Sequence, residues 1–335
     1  MSQEVKTPTL TFQDYGIFFH GLWPGNPKFT EKDYPSLDGK VVIVTGANSG
    51  VGYQTVKSLL GSTKAKVYFF ARNAERAAEA IQKIELEVAA EYKKTRLDVH
   101  FIQIDLSDLT SIKPAVDKFL ELESRLDIVI HNAGVMFPKE GATTKQGFEL
   151  QLGTNNIGPH LLQHYLDPIL IKTSKLNKVN ESRIVWVSST ASFLAPTGGI
   201  HYADPNFSNT PNPDEKIVYG QSKAVNILQS KHWNIAHPEA TNVVNASLCP
   251  GYLRTELQRN AKGFEAFLYR ILFHDARYGA YTELFAALSP EVNTKNTGAH
   301  VISFGTVSRA RDDLCDPANA EKAWNFLEEQ IKPYV

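Results

Sequence analysis

The sequence predicts a doubly wound α/β fold, a parallel sheet with helices on both faces, and three observations predict it. Short runs rich in β-branched and aromatic residues recur along the chain. Longer segments between them repeat apolar residues every three to four positions, as helices do. The short runs are apolar throughout instead of alternating, which implies strands buried on both faces. The 335 residues are 42% hydrophobic and 21% charged, a composition that supplies a large core. That length admits two domains, but no linker divides the chain, and one sheet with insertions accounts for it.

Residues 1–39 are read as an N-terminal extension. Prolines 8, 24, 27 and 35 oppose a long helix, so an extended lead-in is expected, carrying Phe12, Tyr15, Phe18, Phe19 and Trp23. The single domain, 40–335, begins with the strand "KVVIVTG". Further strands follow in "KVYFFAR", "DVHFIQIDL", "LDIVIHNAG", "RIVWVSST" and "TNVVNASLCPG". The segment "YQTVKSLLGS" reads as a helix after the first strand, and "NAERAAEAIQKIELEVAAEYKK" as one after the second. No internal repeat or low-complexity segment interrupts this alternation.

Charge and cysteines narrow the function classes. A formal net charge of -1 gives no basic face for nucleic acid. Cys249 and Cys315 lack metal-ligand spacing and are too few for a disulfide framework, so a reducing compartment is expected and no metal site. No apolar run approaches the roughly 20 residues of a membrane helix, and the N-terminus lacks a secretion-signal pattern. A cytoplasmic protein is the expectation.

The first strand runs into "TGANSGVG", residues 45–52, and then into a helix. Glycine lets the backbone approach a pyrophosphate, and a helix N-terminus offers free N–H groups and a positive dipole end. Gly46, Gly50 and Gly52 fill those roles in a Rossmann-like turn, with Thr45, Asn48, Ser49 and Val51 completing it. At the end of the second strand, where an acidic residue would bind the ribose of NAD, the sequence is "YFFARNAER". Arg72 stands there instead, suited to a 2′-phosphate, so NADP(H) is the expected cofactor. Arg76 is a second candidate for the same phosphate.

"YGQSK", 219–223, places a phenol and an ammonium four residues apart, on one face of a helix. A phenol with an ordinary pKa near 10 exchanges protons poorly at neutral pH, and a nearby ammonium is expected to lower that value. Tyrosine and lysine at this spacing recur by chance in many helices. The upstream nucleotide turn and Ser189 at the end of a separate strand favour a catalytic reading, because ligands of such folds sit beyond the carboxyl ends of strands.

With "TGANSGVG", "HNAG" at 131–134, "VSST" at 187–190, "YGQSK" and "PGYLRT" at 250–255, in that order, the chain resembles the short-chain dehydrogenase/reductase family. "FARN", "HNAGVM" and "GAYTELFAALSPEV" resemble its retinol-dehydrogenase-like branch, and "FTEKDYPSLDGK" resembles fungal members, which points to a fungal NADPH-dependent carbonyl reductase. The resemblance implies Tyr219 as catalytic acid/base, Lys223 as its activator, Ser189 as hydrogen-bond donor to the substrate carbonyl and Asn155 as fourth member, with Asn156 the alternative. It implies cofactor contacts from Asp105, Leu106, Asn132, Ala133, Gly134, Tyr219, Lys223, Pro250, Gly251 and Thr255. His131 departs from the family's usual asparagine. The long interval from Ser189 to Tyr219 implies a substrate-side insertion at 190–215, and the segment 251–276, with Phe264, Phe267, Leu268, Ile271, Leu272 and Phe273, implies a lid over a bulky apolar substrate.

The resulting expectation is reversible NADPH-dependent reduction of aldehydes or ketones to alcohols by a monomer or homodimer acting on a small molecule. Two rivals stand beside it. A catalytically silent NADP(H) sensor would need only the glycine turn, so intact Ser189, Tyr219 and Lys223 oppose it. A lipid- or retinoid-metabolising dehydrogenase docked peripherally on a membrane would use the N-terminal and lid aromatics, although no basic cluster accompanies them.

Overall fold

Val41–Thr45 forms β1, and its five residues are buried because both faces of the strand carry core. Val41 and Ile43 point into one apolar layer, Val42 and Val44 into the other. The computed structural model describes residues 5–254 and 273–335. Around β1 the strands β2 (Lys66–Ala71), β3 (Val99–Gln103), β4 (Ile128–His131), β5 (Ser182–Val187) and β6 (Val243–Leu248) pair in parallel. A separate two-strand pair is made by β7 (Leu253–Arg254) and β8 (His274–Asp275). β9 (Ala299–Ile302) joins the main sheet in parallel, and β10 (Thr306–Ser308) closes its edge antiparallel. The spatial order is β10-β9-β6-β5-β4-β1-β2-β3. The chain reverses direction across the sheet between β1 and β4, the switch point where such folds hold ligands.

The helices in chain order are α1 (Phe12–Leu22), α2 (Gly50–Ser62), α3 (Ala74–Tyr92), α4 (Ile112–Leu122), the one-turn α5 (Leu150–Leu152), α6 (Gly158–Ser174), α7 (Glu215–Ala236), α8 (Ala276–Leu288) and α9 (Pro317–Ile331). α3 shows why these sequences make these elements. The Asn73 side chain accepts from the Arg76 N–H at 2.8 Å and starts the helix. Ala77, Ala80, Ile84 and Val88, spaced three or four apart, form its buried stripe, and Lys93 in the left-handed region ends it. Burying Ile84 and Val88 contributes roughly 1.5–3 kcal/mol each. Core residues of α4, α6, α7 and α9 lie on one face of the sheet, and those of α2, α3 and α8 on the other.

Two expectations need correction. The N-terminal extension is not extended throughout: α1 occupies 11 residues between Pro8 and Pro24, so the prolines bound a short helix instead of preventing one. Thr11 caps it reciprocally with Asp14. The strands β9 and β10 lie beyond the last expected strand, and β10 makes the sheet mostly parallel, not wholly so. Their turn carries Phe304 and Gly305, both with positive φ. Among the described residues no helix is long and apolar enough to cross a membrane.

Candidate active site

Each residue of "YGQSK" has a separate reason to be what it is. Asp214 caps α7, accepting from the Lys216 N–H at 2.8 Å. Gly220 faces the short 3-10 turn 190–194 that follows Ser189. A Cβ there would meet the Ala191 carbonyl oxygen at 2.6 Å, so glycine lets the helix close on the turn. Gln221 is buried and ties down the 190–215 segment, accepting from the His201 N–H at 2.8 Å and donating to the Pro205 carbonyl at 2.9 Å. Ser222 donates to the Tyr219 carbonyl and receives the Asn155 amide at 3.0 Å. Tyr219 and Lys223 are left to face the sheet edge together.

The Lys223 Nζ donates to the Val187 carbonyl at 3.0 Å, where β5 ends, and lies 5.7 Å from the centre of the Tyr219 ring. Both side chains are buried. Burial pushes the Lys223 ammonium down to about 8, partly offset by Cys249 and Glu283. Burial also pushes the Tyr219 phenol up, with Ser189 opposing it by hydrogen bonding. The lowering expected from Lys223 is not found at this phenol: burial dominates, and the group that opposes it is Ser189. Ser189 itself caps the 3-10 turn, its hydroxyl accepting from the Ala191 N–H at 3.2 Å.

Asn155 sits in a π-helical stretch, Gly153–Ile157, that widens the entry into α6. Its amide donates to the Val135 carbonyl at 3.0 Å, and its Oδ1 accepts from the Val135 N–H at 2.8 Å. A Cβ on Gly134 would lie 3.2 Å from that Oδ1 and 3.4 Å from the Lys223 Nζ, so the backbone at Gly134 runs beside both carboxamide and ammonium. Asn156 instead points along α7, donating to the Ser222 carbonyl and Asn226 Oδ1, each at 2.7 Å. The structure thus brings Asn155, Ser189, Tyr219 and Lys223 to one edge and turns Asn156 into the packing.

The glycine turn lies beside this edge. Gly46 has φ +68°, and a Cβ there would come within 2.7 Å of the Ala133 Cα. At Gly52 it would lie 2.3 Å from the Asn132 amide. That amide donates to the Thr45 carbonyl at 2.8 Å, while the Thr45 hydroxyl accepts from the Ala133 N–H at 3.0 Å. "TG" and "NAG" are thereby locked together. α2 opens without a side-chain cap from Ser49 and without an acidic residue in its first turn, leaving donors and a positive dipole end for an anion. Gly50 also has positive φ, and Asn48 and Val51 flank it. Arg72 is exposed directly after β2, with Arg76 one turn into α3. Asp105 accepts from the backbone and hydroxyl of Ser107, and the Leu106 carbonyl packs where a Cβ on Gly158 would collide at 2.2 Å. These features fit a dinucleotide.

Pro250 and Gly251 follow β6, Gly251 with φ +102° against Ser303. Thr255 lies outside the described residues, as do positions 255–272 of the 251–276 segment. The 190–215 segment is anchored from the C-terminal side: Arg311 donates to the Phe193, Ala195 and Pro196 carbonyls, and Asp313 accepts from the Gly198 N–H at 2.7 Å. The departure at His131 is filled by core packing. Its ring stacks 4.2 Å from Trp186, Nε2 meets Gln163 at 2.8 Å, and burial pushes its pKa down to about 4.

Sequence reading assigned no role to three residues at or near the site. Phe137 places its ring edge-on at 5.6 Å to Tyr219, from a left-handed backbone at φ 48°. Tyr252, directly after the "PG" pair, has a buried hydroxyl. Glu283 on α8 is buried and accepts from the Thr55 hydroxyl at 2.7 Å, and burial pushes its carboxyl up to about 8. No local pattern marks Phe137 or Glu283. The neighbouring motif was the available signal for Tyr252.

Residues 40–204 match the short chain dehydrogenase family. A short-chain dehydrogenase/reductase of Emericella nidulans is 38% identical over 312 residues, 92% of this chain and 98% of the relative. The NADPH-bound carbonyl reductase from chicken fatty liver superposes with a TM-score of 0.60 at 22% identity, covering 81% of this chain and 99% of that one. The NADH complex of 3-ketoacyl-(acyl-carrier-protein) reductase from Brucella melitensis gives 0.57 at 22% identity, covering 81% and 99%. The chain belongs to the short-chain dehydrogenase/reductase family and is an oxidoreductase of that family with its Rossmann-like fold.

Proposed function

We propose that this short-chain dehydrogenase/reductase reduces bulky apolar aldehydes or ketones with NADPH, reversibly, with Tyr219 as proton donor. The observation that carries the reading is the convergence of Ser189, Tyr219, Lys223 and Asn155 beside the glycine turn at the carboxyl ends of the central strands. The turn and the α2 N-terminus would hold the pyrophosphate, Arg72 a 2′-phosphate, and Gly134 with Lys223 the nicotinamide end. When bound, the reduced nicotinamide supplies the hydride that attacks the carbonyl carbon.

The Tyr219 hydroxyl gives its proton to the carbonyl oxygen while the Ser189 hydroxyl donates a hydrogen bond to the same oxygen, stabilising the charge that develops there. A phenol held protonated by burial is ready to donate. The Lys223 ammonium favours the phenolate left behind. Asn155, whose Oδ1 lies near Gly134 as Lys223 does, would hold a water that returns a proton to Lys223. Phe137 supports an apolar substrate by covering the Tyr219 ring. This preference agrees with the retinol-dehydrogenase-like resemblance.

Purified protein assayed with NADPH and NADH against retinal, aromatic aldehydes and bulky ketones tests this. Turnover that prefers NADPH and disappears in Tyr219→Phe supports the reading. Tight NADPH binding without turnover on the whole panel refutes it.

A further inference from the structure

We infer that α1 and Tyr252 form one wall of the substrate site, and that the Tyr252 hydroxyl binds a second oxygen on the carbonyl substrate; this rests on the reductase reading and names its substrate class. Tyr252 leaves the sheet after Pro250 and Gly251, at the edge that carries Ser189. The Thr190 side chain, adjacent to Ser189 in sequence, lies near enough to lower the Tyr252 phenol as a hydrogen-bonding neighbour, yet no hydrogen bond of ordinary geometry joins the two. Among the described residues the Tyr252 hydroxyl is buried and has no hydrogen-bond partner. Leaving such a group unpaired costs about 1–3 kcal/mol, so an acceptor atom on a ligand gains what the protein does not supply.

The ring of Tyr252 is positioned from the N-terminal extension. Phe18 meets it edge-on at 5.6 Å, and Phe273 lies 5.5 Å away. α1 reaches the ring at Gly21, where a Cβ would lie 2.7 Å from Tyr252 Cε2. The helix is itself held in place: buried Asp14 pairs with Arg309 at 2.9 Å, and the Leu22 carbonyl meets His274 Nε2 at 3.3 Å. An added methyl at Gly21 must therefore move the Tyr252 ring or α1. The extension, more than 200 residues away in sequence, acts on specificity through this contact.

Benzoylacetone and benzylacetone share a carbon skeleton and a methyl ketone, and only the first has a second carbonyl. Tyr252→Phe is expected to lower kcat/KM about tenfold for benzoylacetone, mainly through KM, and to change benzylacetone by less than about twofold. Gly21→Ala and Phe18→Ala shift the same ratio in the same direction by about threefold, because a small misplacement weakens an oriented hydrogen bond. NADPH affinity by fluorescence titration stays unchanged in Tyr252→Phe, and the melting temperature of the ligand-free protein does not fall, because the variant removes an unpaired buried hydroxyl; this separates recognition from folding. Equal losses on both ketones, or an unchanged ratio in Tyr252→Phe, would overturn the proposal. If the wild type reduces neither ketone, the reductase reading suffers first. Calorimetric binding of benzoylacetone to the NADP+-loaded protein then decides the wall: binding weakened by Tyr252→Phe upholds it, and no binding or indifference to the variant rejects it.

Discussion

The glycine turn and the Tyr219 helix meet at the carboxyl ends of the central strands but are built by opposite means. Around Gly46 and Gly52 the shape comes from side chains that are missing: backbone packs on backbone, and any Cβ collides with Ala133 or Asn132. Around Tyr219 the shape comes from polar side chains that are present and buried. Asn155, Ser222, Lys223 and Asn226 hydrogen-bond to one another or to the ends of strands and helices. The first arrangement suits binding a ligand rich in charge through main-chain donors. The second suits chemistry, because buried donors hold fixed positions and shift each other's proton affinities.

Removing the acid should separate the two regions most sharply. Tyr219→Phe is expected to lower kcat about 1,000-fold while NADPH affinity, read by fluorescence titration, stays within about twofold. A comparable loss of cofactor affinity would show that the two regions are one unit.

Glu283 lies beneath the nucleotide side, against α2, and links stability to pH. Its carboxyl has an ordinary value of 4.5 and is pushed up to about 8 in the fold by burial. The folded state therefore holds the proton more tightly, so no penalty exists below pH 4.5, and one grows as pH rises towards 8. Glu283→Gln, which cannot ionise, should remove this slope and leave the variant about 5 kcal/mol more stable than the wild type above the upper limit. Denaturant melts across the window measure it, and an unchanged slope would place the pH response elsewhere.

Gly52→Ala tests the cradle made by absent side chains. Its methyl would sit 2.3 Å from the Asn132 amide, which should cost about 2 kcal/mol in stability or in cofactor binding. A variant with wild-type melting and affinity would show that the Asn132 amide yields freely. The smallest expected effect concerns cofactor choice. Arg72→Ala should weaken NADPH about tenfold and leave NADH unchanged, whereas equal effects on both would remove the arginine from the 2′-phosphate.

The sheet's parallel strands were legible because continuous apolar runs have few other uses. Val41–Thr45 is buried on both faces, and its sequence says so. The β9–β10 hairpin was not legible, since "AHVI" and "TVS" are short and their pairing depends on a turn through Phe304. α1 was hidden by a true inference applied too widely: the prolines bar a long helix and leave space for a short one. At the site, the motifs located Tyr219, Lys223, Ser189 and Asn155 at one edge, and spacing on α7 explained only the first two.

By itself the sequence determined the apolar runs that become parallel strands, the glycine positions and the Tyr219–Lys223 pair, because each is a local constraint written in residue type and spacing, while Ser189 and an asparagine at 155 or 156 came with the family resemblance. Only the tertiary structure decided which asparagine lies beside Gly134 and Lys223, that burial raises the Tyr219 phenol, that Glu283 is buried against α2, and that Gly21 of the extension touches Tyr252. Those outcomes depend on which distant surfaces exclude water from a group and which atoms approach it, quantities that exist only once the chain has closed on itself.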